Sequence, residues 1–191
     1  VTGMDARLAG TVAADDILIM PDKWEYPWFA SWDAAFHAVT AAIVDPELGA
    51  AELRFLLSPR WQTPEGHIPC GEWVMTNECP PLFAWAALKV ADAGAGDALL
   101  AELYPALQAQ YAFWWDRLQV KETRLFRGGF MGMDNLPGRS IHAQADSSGW
   151  MAMFARDLAE IARRLGKDAD AAGYLGQREE IATAVNAALW D

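Results

Sequence analysis

Positive charge is scarce in this sequence. The 15 Lys and Arg stand against 26 Asp and Glu, a formal net charge of −11, so a nucleic-acid backbone is excluded as a natural partner. Long apolar runs are also missing. No stretch approaches the roughly 20 residues needed to span a bilayer, and no basic start leads into an apolar segment that would read as a signal peptide. Cysteine is limited to Cys70 and Cys79, whose spacing matches no zinc pattern, and the 3 histidines are scattered. Two ordinary thiols are therefore expected rather than a disulfide or a metal site. Alternating β-branched stretches are lacking, which leaves room for short ribbons in loops at most. No fixed period, low-complexity segment or linker is visible, which argues against a repeat array. The chain opens on Val1 without Met and stops just after a helical pattern. That reads as a piece of a longer protein, with any signal peptide upstream.

What is abundant is apolar and aromatic. Hydrophobic residues make up 53% of the 191 positions and Trp alone accounts for 10, enough for one sizeable core. Helical periodicity dominates. From Phe29 the positions 29, 32, 36, 39 and 43 repeat at 3.6-residue spacing and predict an inward stripe. Asp45-Pro46 ends that helix and opens the next, about 46–57, with Leu48, Leu53, Leu56 and Leu57 inward. Pro81 opens a third helix that stops at Gly94/Gly96. A fourth follows, kinked or restarted at Pro105. Ser147 or Ser148, or Asp146 near them, would cap a fifth, whose stripe is 150, 154, 158, 161 and 165. The last helix covers about 168–190 and carries Tyr174, Ile181, Val185 and Leu189. Short turns alternate with long, ring-rich links. Such helical hairpins would gather the working loops at one end.

Three irregular segments hold the chemistry: DKWEYPWFASWD, WQTPEGHIPCGEWVMTNECPP and GGFMGMDNLPGRS. Loops normally avoid rings such as Trp24, Tyr26, Trp28, Phe29, Trp32, Trp61, Trp73 and Phe130, because exposing them to water is unfavourable. Rings mixed with carboxylates suit a carbohydrate, whose C–H face stacks on aromatics while its hydroxyls need fixed acceptors and donors. The alternative is that the rings merely pack loops onto helix ends. Asp134 has two readings, ordinary turn chemistry in Asp-Asn-x-Pro-Gly or a general acid with its pKa raised by Phe130, Met131 and Met133. Asp33 either answers the helix dipole or, in a polar line with His37 and Thr40, accepts sugar hydroxyls. Glu72 and Glu78 are carboxylates beside rings, and Arg139 could pair with a carboxylate or a hydroxyl. Glu179 and Glu180 read as solvated surface.

PDKWEYPWFASWDAAFH, EGHIPCGEW with NECPPLFAWA, and GMDNLPGRS followed by QADSSGWMAMFARDLAEIA, in that order, resemble the bacterial branch of glycoside hydrolase family 63. Its relatives include mannosylglycerate hydrolases, processing α-glucosidases and, more distantly, family 37 trehalases. The resemblance runs from about residue 15 to the end. It implies an all-α fold, an (α/α)6 toroid of the six-hairpin glycosidase type, of which residues 1–191 would form about half. It also implies hydrolysis of α-glycosidic bonds with inversion by two carboxyl groups about 6.5–9.5 Å apart. By resemblance Asp134 is the acid. Trp32 and Asp33 belong to the subsite of the non-reducing sugar, with Glu78-Cys79 near it. On the residues themselves, Trp24, Tyr26 and Phe29 would join Trp32 in the pocket wall, and Glu72, Trp73 and Arg139 would be further substrate contacts. Relatives show ESGMDNSPR, with Arg four residues after Asp, whereas Arg139 falls five after Asp134. No segment before Asp191 matches the family's basic Glu. The expectation is therefore an oligosaccharide or small-glycoside substrate, no cofactor, no membrane, a bacterial cytoplasmic location, and the rest of the catalytic domain as partner. Without a base, the piece alone would be inactive. A carbohydrate-binding helical module without catalysis is the second reading.

Overall fold

The computed structural model describes residues 16–72, 76–128 and 143–189. Among the described residues six α-helices follow one another: α1 (Ser31–Val44), α2 (Pro46–Leu56), α3 (Phe83–Val90), α4 (Gly96–Phe113), α5 (Ala145–Arg164) and α6 (Asp168–Leu189). Wide π-type turns extend α3 over Ala91–Ala95 and α4 over Trp114–Leu118. One antiparallel ribbon, β1 (Gln119–Val120) with β2 (Leu125–Phe126), pairs Gln119 with Phe126 and Val120 with Leu125. It lies in a long link, where the sequence leaves room for it.

The short links are built by residues that cannot continue a helix. Asp45 is extended, its carboxylate accepts from the Glu47 N–H at 3.0 Å, and Pro46 takes the first turn of α2, where its missing N–H is no loss. Between α3 and α4 the backbone turns at Gly94 with φ of 137°, a conformation open to glycine at little steric expense. Arg164, at the end of α5, forms ion pairs with Asp92 and Asp97 on either side of that turn. Pro105 sits inside α4 without ending it. The third helix starts at Phe83, two residues later than Pro81 suggests.

Helix α1 packs on α2 and α3, α3 on α5, α4 on α5, and α5 on α6. The odd-numbered helices thus form an inner row backed by α2, α4 and α6. Among the described residues, the long links meet the N-terminal ends of α1 and α5 in that row. Ala30 bridges to Gly71 and the Ser31 N–H donates to the Cys70 carbonyl at 3.0 Å, while Gln144 bridges to Phe126. The core between the layers is made by Phe29, Leu53, Leu56, Phe83, Leu100, Leu107, Trp114, Phe154, Leu158 and Ile161, all buried.

Two expectations need correction. The buried face of α1 is not the stripe of large residues but Ser31, Ala34, Ala35, Ala38 and Ala42. Phe36 is 42% exposed and Ile43 80%. Helix α2 approaches α1 through Gly49, and the space there accepts only small side chains, so the large ones turn outward. In α5 the cap position is Gln144, with no side-chain cap bond. Ser147 and Ser148 are buried within the first turn instead. The Ser148 hydroxyl donates to the Gln144 carbonyl at 2.7 Å and accepts from the Phe126 N–H at 3.0 Å, tying the ribbon to the helix start.

Candidate active site

The N-terminal ends of α1 and α3 carry a surface of rings and one carboxylate. Trp32 and Phe36, one turn apart on α1, meet edge to face at 6.1 Å, and Phe36 meets Trp85 of α3 at 5.4 Å. In front of them runs the segment 21–30. The Asp22 carboxylate accepts from the backbone N–H groups of Trp24 and Glu25. That turn leaves Trp24 83% exposed, with the Lys23 ammonium 5.0 Å from its ring. Tyr26 is exposed too and packs edge-on to Trp28 at 5.2 Å. An exposed Trp beside further accessible rings is the pattern of a binding surface.

Asp33 is half-buried beside Trp32. Burial raises its pKa above the usual carboxylate range, and the nearby His37 opposes the rise. His37 lies one turn along α1, with Nδ1 3.1 Å from the Ile19 carbonyl oxygen, so that nitrogen donates there. Burial lowers its pKa, against the Ile19 carbonyl and Asp33. The imidazole is therefore neutral at pH 7, and Asp33 keeps acceptor capacity for an incoming hydroxyl. Cys79 is buried behind this pair. Cys70 and Cys79 are not joined by a disulfide, and the Cys70 thiol together with burial pushes Cys79 well up. Among the described residues no three of His, Cys, Asp and Glu gather as a metal site.

The structure separates the residues that the sequence groups together. Trp32 and Asp33 share the ring surface, with Trp24 and Tyr26 exposed in the lead-in. Phe29 has 0% exposure and packs edge-on against Phe55 and Trp61, at 5.1 and 4.9 Å. It supports the wall from behind and offers no face to a ligand. Glu72 is 2% exposed, and its Oε1 accepts from the Phe29 N–H at 2.6 Å, so it too positions the wall. Glu78 lines a different cleft, with His67. Trp73, Asp134 and Arg139 lie outside the described residues.

Two positioning residues escaped the sequence reading. Ser31 donates to the Pro69 carbonyl and accepts from Trp61 Nε1 at 2.7 Å. Glu52, next to Leu53 and one turn before Leu56 on the inner face of α2, accepts from the Ile19 N–H at 3.3 Å. His37 and Glu52 thus hold the two polar groups of Ile19, just before the ring segment. The only sequence signal was a Glu at an inward position.

The model of the mannosylglycerate hydrolase MGH1-like glycoside hydrolase domain matches residues 26–191. The chain belongs to this glycoside hydrolase family. The uncharacterized protein YMR196W of Saccharomyces cerevisiae is 37% identical over 169 residues, covering 81% of this chain and 16% of the yeast protein. Among solved structures, the GH63 mannosylglycerate hydrolase of Thermus thermophilus superposes with a TM-score of 0.77 at 17% identity, over 93% of this chain and 63% of that one. A GH78 rhamnosidase of Bacillus sp. GL1 follows with 0.69 at 16% identity, over 86% and 18%. The chain thus spans less than two thirds of the relatives it matches. The family's all-α six-hairpin toroid accounts for the three hairpins seen here, with the odd-numbered helices as its inner layer.

Proposed function

We propose that residues 1–191 form the N-terminal half of the catalytic toroid of an inverting α-glycosidase. The observation that carries this reading is the surface of Trp32, Phe36 and Trp85 with half-buried Asp33, set at the N-terminal ends of the inner helices of a glycoside hydrolase domain. The rings take the C–H face of a pyranose and Asp33 accepts its hydroxyls. Trp24 and Tyr26 extend the platform. Asp134 is the proton donor to the leaving oxygen, and a second carboxyl group from the rest of the protein activates water on the opposite face of the sugar. The further helices of the ring would cover the apolar residues that α1 leaves exposed at its C-terminal end, Ile43 and Val44. The substrate is an α-linked glycoside or oligosaccharide of the glucose or mannose class. The solved relative named for mannosylglycerate supports that choice.

In the full-length protein, Asp134→Asn should keep KM or ligand Kd within a few-fold and lower kcat by about 10²–10⁴, the usual worth of a positioned general acid. Turnover near that of the unaltered protein would remove Asp134 from the role. A full-length protein that binds sugars but hydrolyses no glycoside would support the non-catalytic module instead.

A further inference from the structure

Residues 22–26, with Trp24 and Tyr26 among them, are all exposed, and their turn is tied from within. Asp22 accepts from the Trp24 and Glu25 N–H groups, and its own N–H donates to the Tyr26 carbonyl at 3.4 Å. The place of this turn relative to α1 is set at its two ends. After the turn, Phe29 is fully buried, its N–H donates to the Glu72 carboxylate at 2.6 Å, and Ala30 bridges to Gly71. That end belongs to the core. Before the turn, the anchor is Ile19. Its N–H donates to Glu52 Oε2 of α2 at 3.3 Å, and His37 Nδ1 of α1 lies 3.1 Å from its carbonyl oxygen. Leu18 packs against the core beside it. The Asp16–Arg60 ion pair at 2.6 Å joins the start of the segment to the turn after α2, but an exposed pair of this kind adds little in water. One end of the ring turn is therefore built into the fold, and the other hangs on a residue clamped between two helices.

Glu52 is an unusual residue for such a clamp. It is 1% exposed, and its Oε1 meets no hydrogen-bond partner among the described residues. A Gln would accept the same N–H and carry no ionisable proton. A carboxyl is tolerated there while protonated; once ionised it is a buried charge with an unfilled oxygen. The charged groups around it do not neutralise it. His37 holds the other side of Ile19 and is neutral at pH 7, because burial lowers its pKa. Asp33, one turn before His37 on α1, has the same sign as Glu52. Arg60 is engaged by Asp16. Burial therefore holds the Glu52 pKa up at about 8, against the Ile19 N–H. Above that pH the carboxylate has to reach water. Helices α1 and α2 meet too closely at Gly49 to part, whereas the segment 16–28 is irregular and carries the exposed turn. The segment is the part that yields.

We infer that Glu52 is a positioning residue: by clamping Ile19 against His37 it holds the Trp24–Tyr26 turn over the ring surface, and its ionisation releases that turn. The consequence for sugar binding rests on the proposed glycosidase reading. The test compares the full-length protein with its Glu52→Gln variant at pH 6.5 and 8.5, at fixed ionic strength. Trypsin cleavage after Lys23 reports how often the turn is free, because a protease samples the opened state. The cleavage rate of the unaltered protein, relative to the Gln variant, rises at least about threefold from pH 6.5 to 8.5. Glu52→Ala, which lacks the clamp at any pH, is cleaved fast at both. With a pKa of about 8, about a quarter of the unaltered protein keeps the clamp at pH 8.5, so a binding constant that needs it weakens about fourfold. KM for 4-nitrophenyl α-glucoside or α-mannoside therefore rises about fourfold relative to the Gln variant, while the kcat ratio stays level. A level cleavage ratio, or a level KM ratio, overturns the inference and leaves the glycosidase reading standing. If no α-glycoside of the glucose or mannose class is turned over, that reading fails instead, and calorimetry with methyl α-glucoside and methyl α-mannoside takes the place of KM. Binding weakened about fourfold at pH 8.5 relative to the Gln variant keeps the clamp; equal or absent binding overturns it.

Discussion

Ser31 shows how much one hydroxyl can hold. It is fully buried at the first position of α1 and both of its bonding roles are used. It donates to the Pro69 carbonyl and accepts from Trp61 Nε1, so it joins a helix start, a loop carbonyl and a core ring. The same residue's N–H reaches the Cys70 carbonyl. No other short side chain except Thr supplies both a donor and an acceptor there. Ser31→Ala leaves the indole N–H and the Pro69 carbonyl unpaired in a dry place, at about 1–3 kcal/mol. Urea unfolding of the variant should show that loss as a lower midpoint with an unchanged m-value. A change under about 0.5 kcal/mol, the ordinary range of surface substitutions, would show that water replaces the hydroxyl and that the joint is not structural.

At the scale of elements, the α1–α2 hairpin is set by small residues. Gly49 of α2 sits so close to α1 that an added Cβ would lie 2.4 Å from the Ala38 carbonyl oxygen and 2.8 Å from Ala42 Cβ. Glycine to alanine inside a helix normally gains about 1 kcal/mol. Here the sign reverses, because backbone oxygen cannot move aside. Gly49→Ala should destabilise by about 1–3 kcal/mol, read as a lower melting temperature, and a stabilised variant would disprove the close approach. This contact also explains what the sequence could and could not convey. Helix number and the alternation of short and long links follow from local signals such as Asp45-Pro46 and the Gly94 turn, and these were legible. Which face of α1 is buried depends on what α2 presents, and periodicity alone chose the larger residues and so the wrong face. The gathering of rings in the loops was legible in composition. The sorting of its members was not, because Phe29 and Glu72 are claimed by partners 26 to 43 positions away. Glu78 likewise went to a cleft shaped by the end of α4, which no local pattern announces.

Taken as a whole, the molecule carries titrating groups that pull its stability in opposite directions. Burial raises the pKa of Asp33, Glu52 and Asp157, Glu52 to about 8, and lowers those of His37 and His67. A carboxyl with a raised pKa keeps its proton in the folded state after the unfolded chain has lost its own. Its contribution is complete at low pH and fades as pH climbs through the folded value. A histidine with a lowered pKa behaves oppositely, and its contribution is lost as pH falls below about 6.5, where the unfolded imidazole takes up a proton. The two sets compete in mildly acidic solution. Above pH 6.5 the histidine contribution dies away as the unfolded imidazoles lose their protons, while Glu52 still titrates, because its window runs from the ordinary carboxyl value of 4.5 to about 8. One proton's difference gives a slope of at most about 1.4 kcal/mol per pH unit, so raising the pH from 6.5 to 8 should cost up to about 2 kcal/mol. For a chain of this length that is about 4–8 °C in melting temperature. Glu52→Gln retains an acceptor for the Ile19 N–H and removes the ionisation, so its melting temperature should be nearly level over the same range. Thermal unfolding of both proteins at pH 6.5, 7.5 and 8.5, at fixed ionic strength, separates the outcomes. Equal slopes in the two proteins would mean that Glu52 reaches water before it ionises and that the Ile19 latch is not what couples the fold to pH.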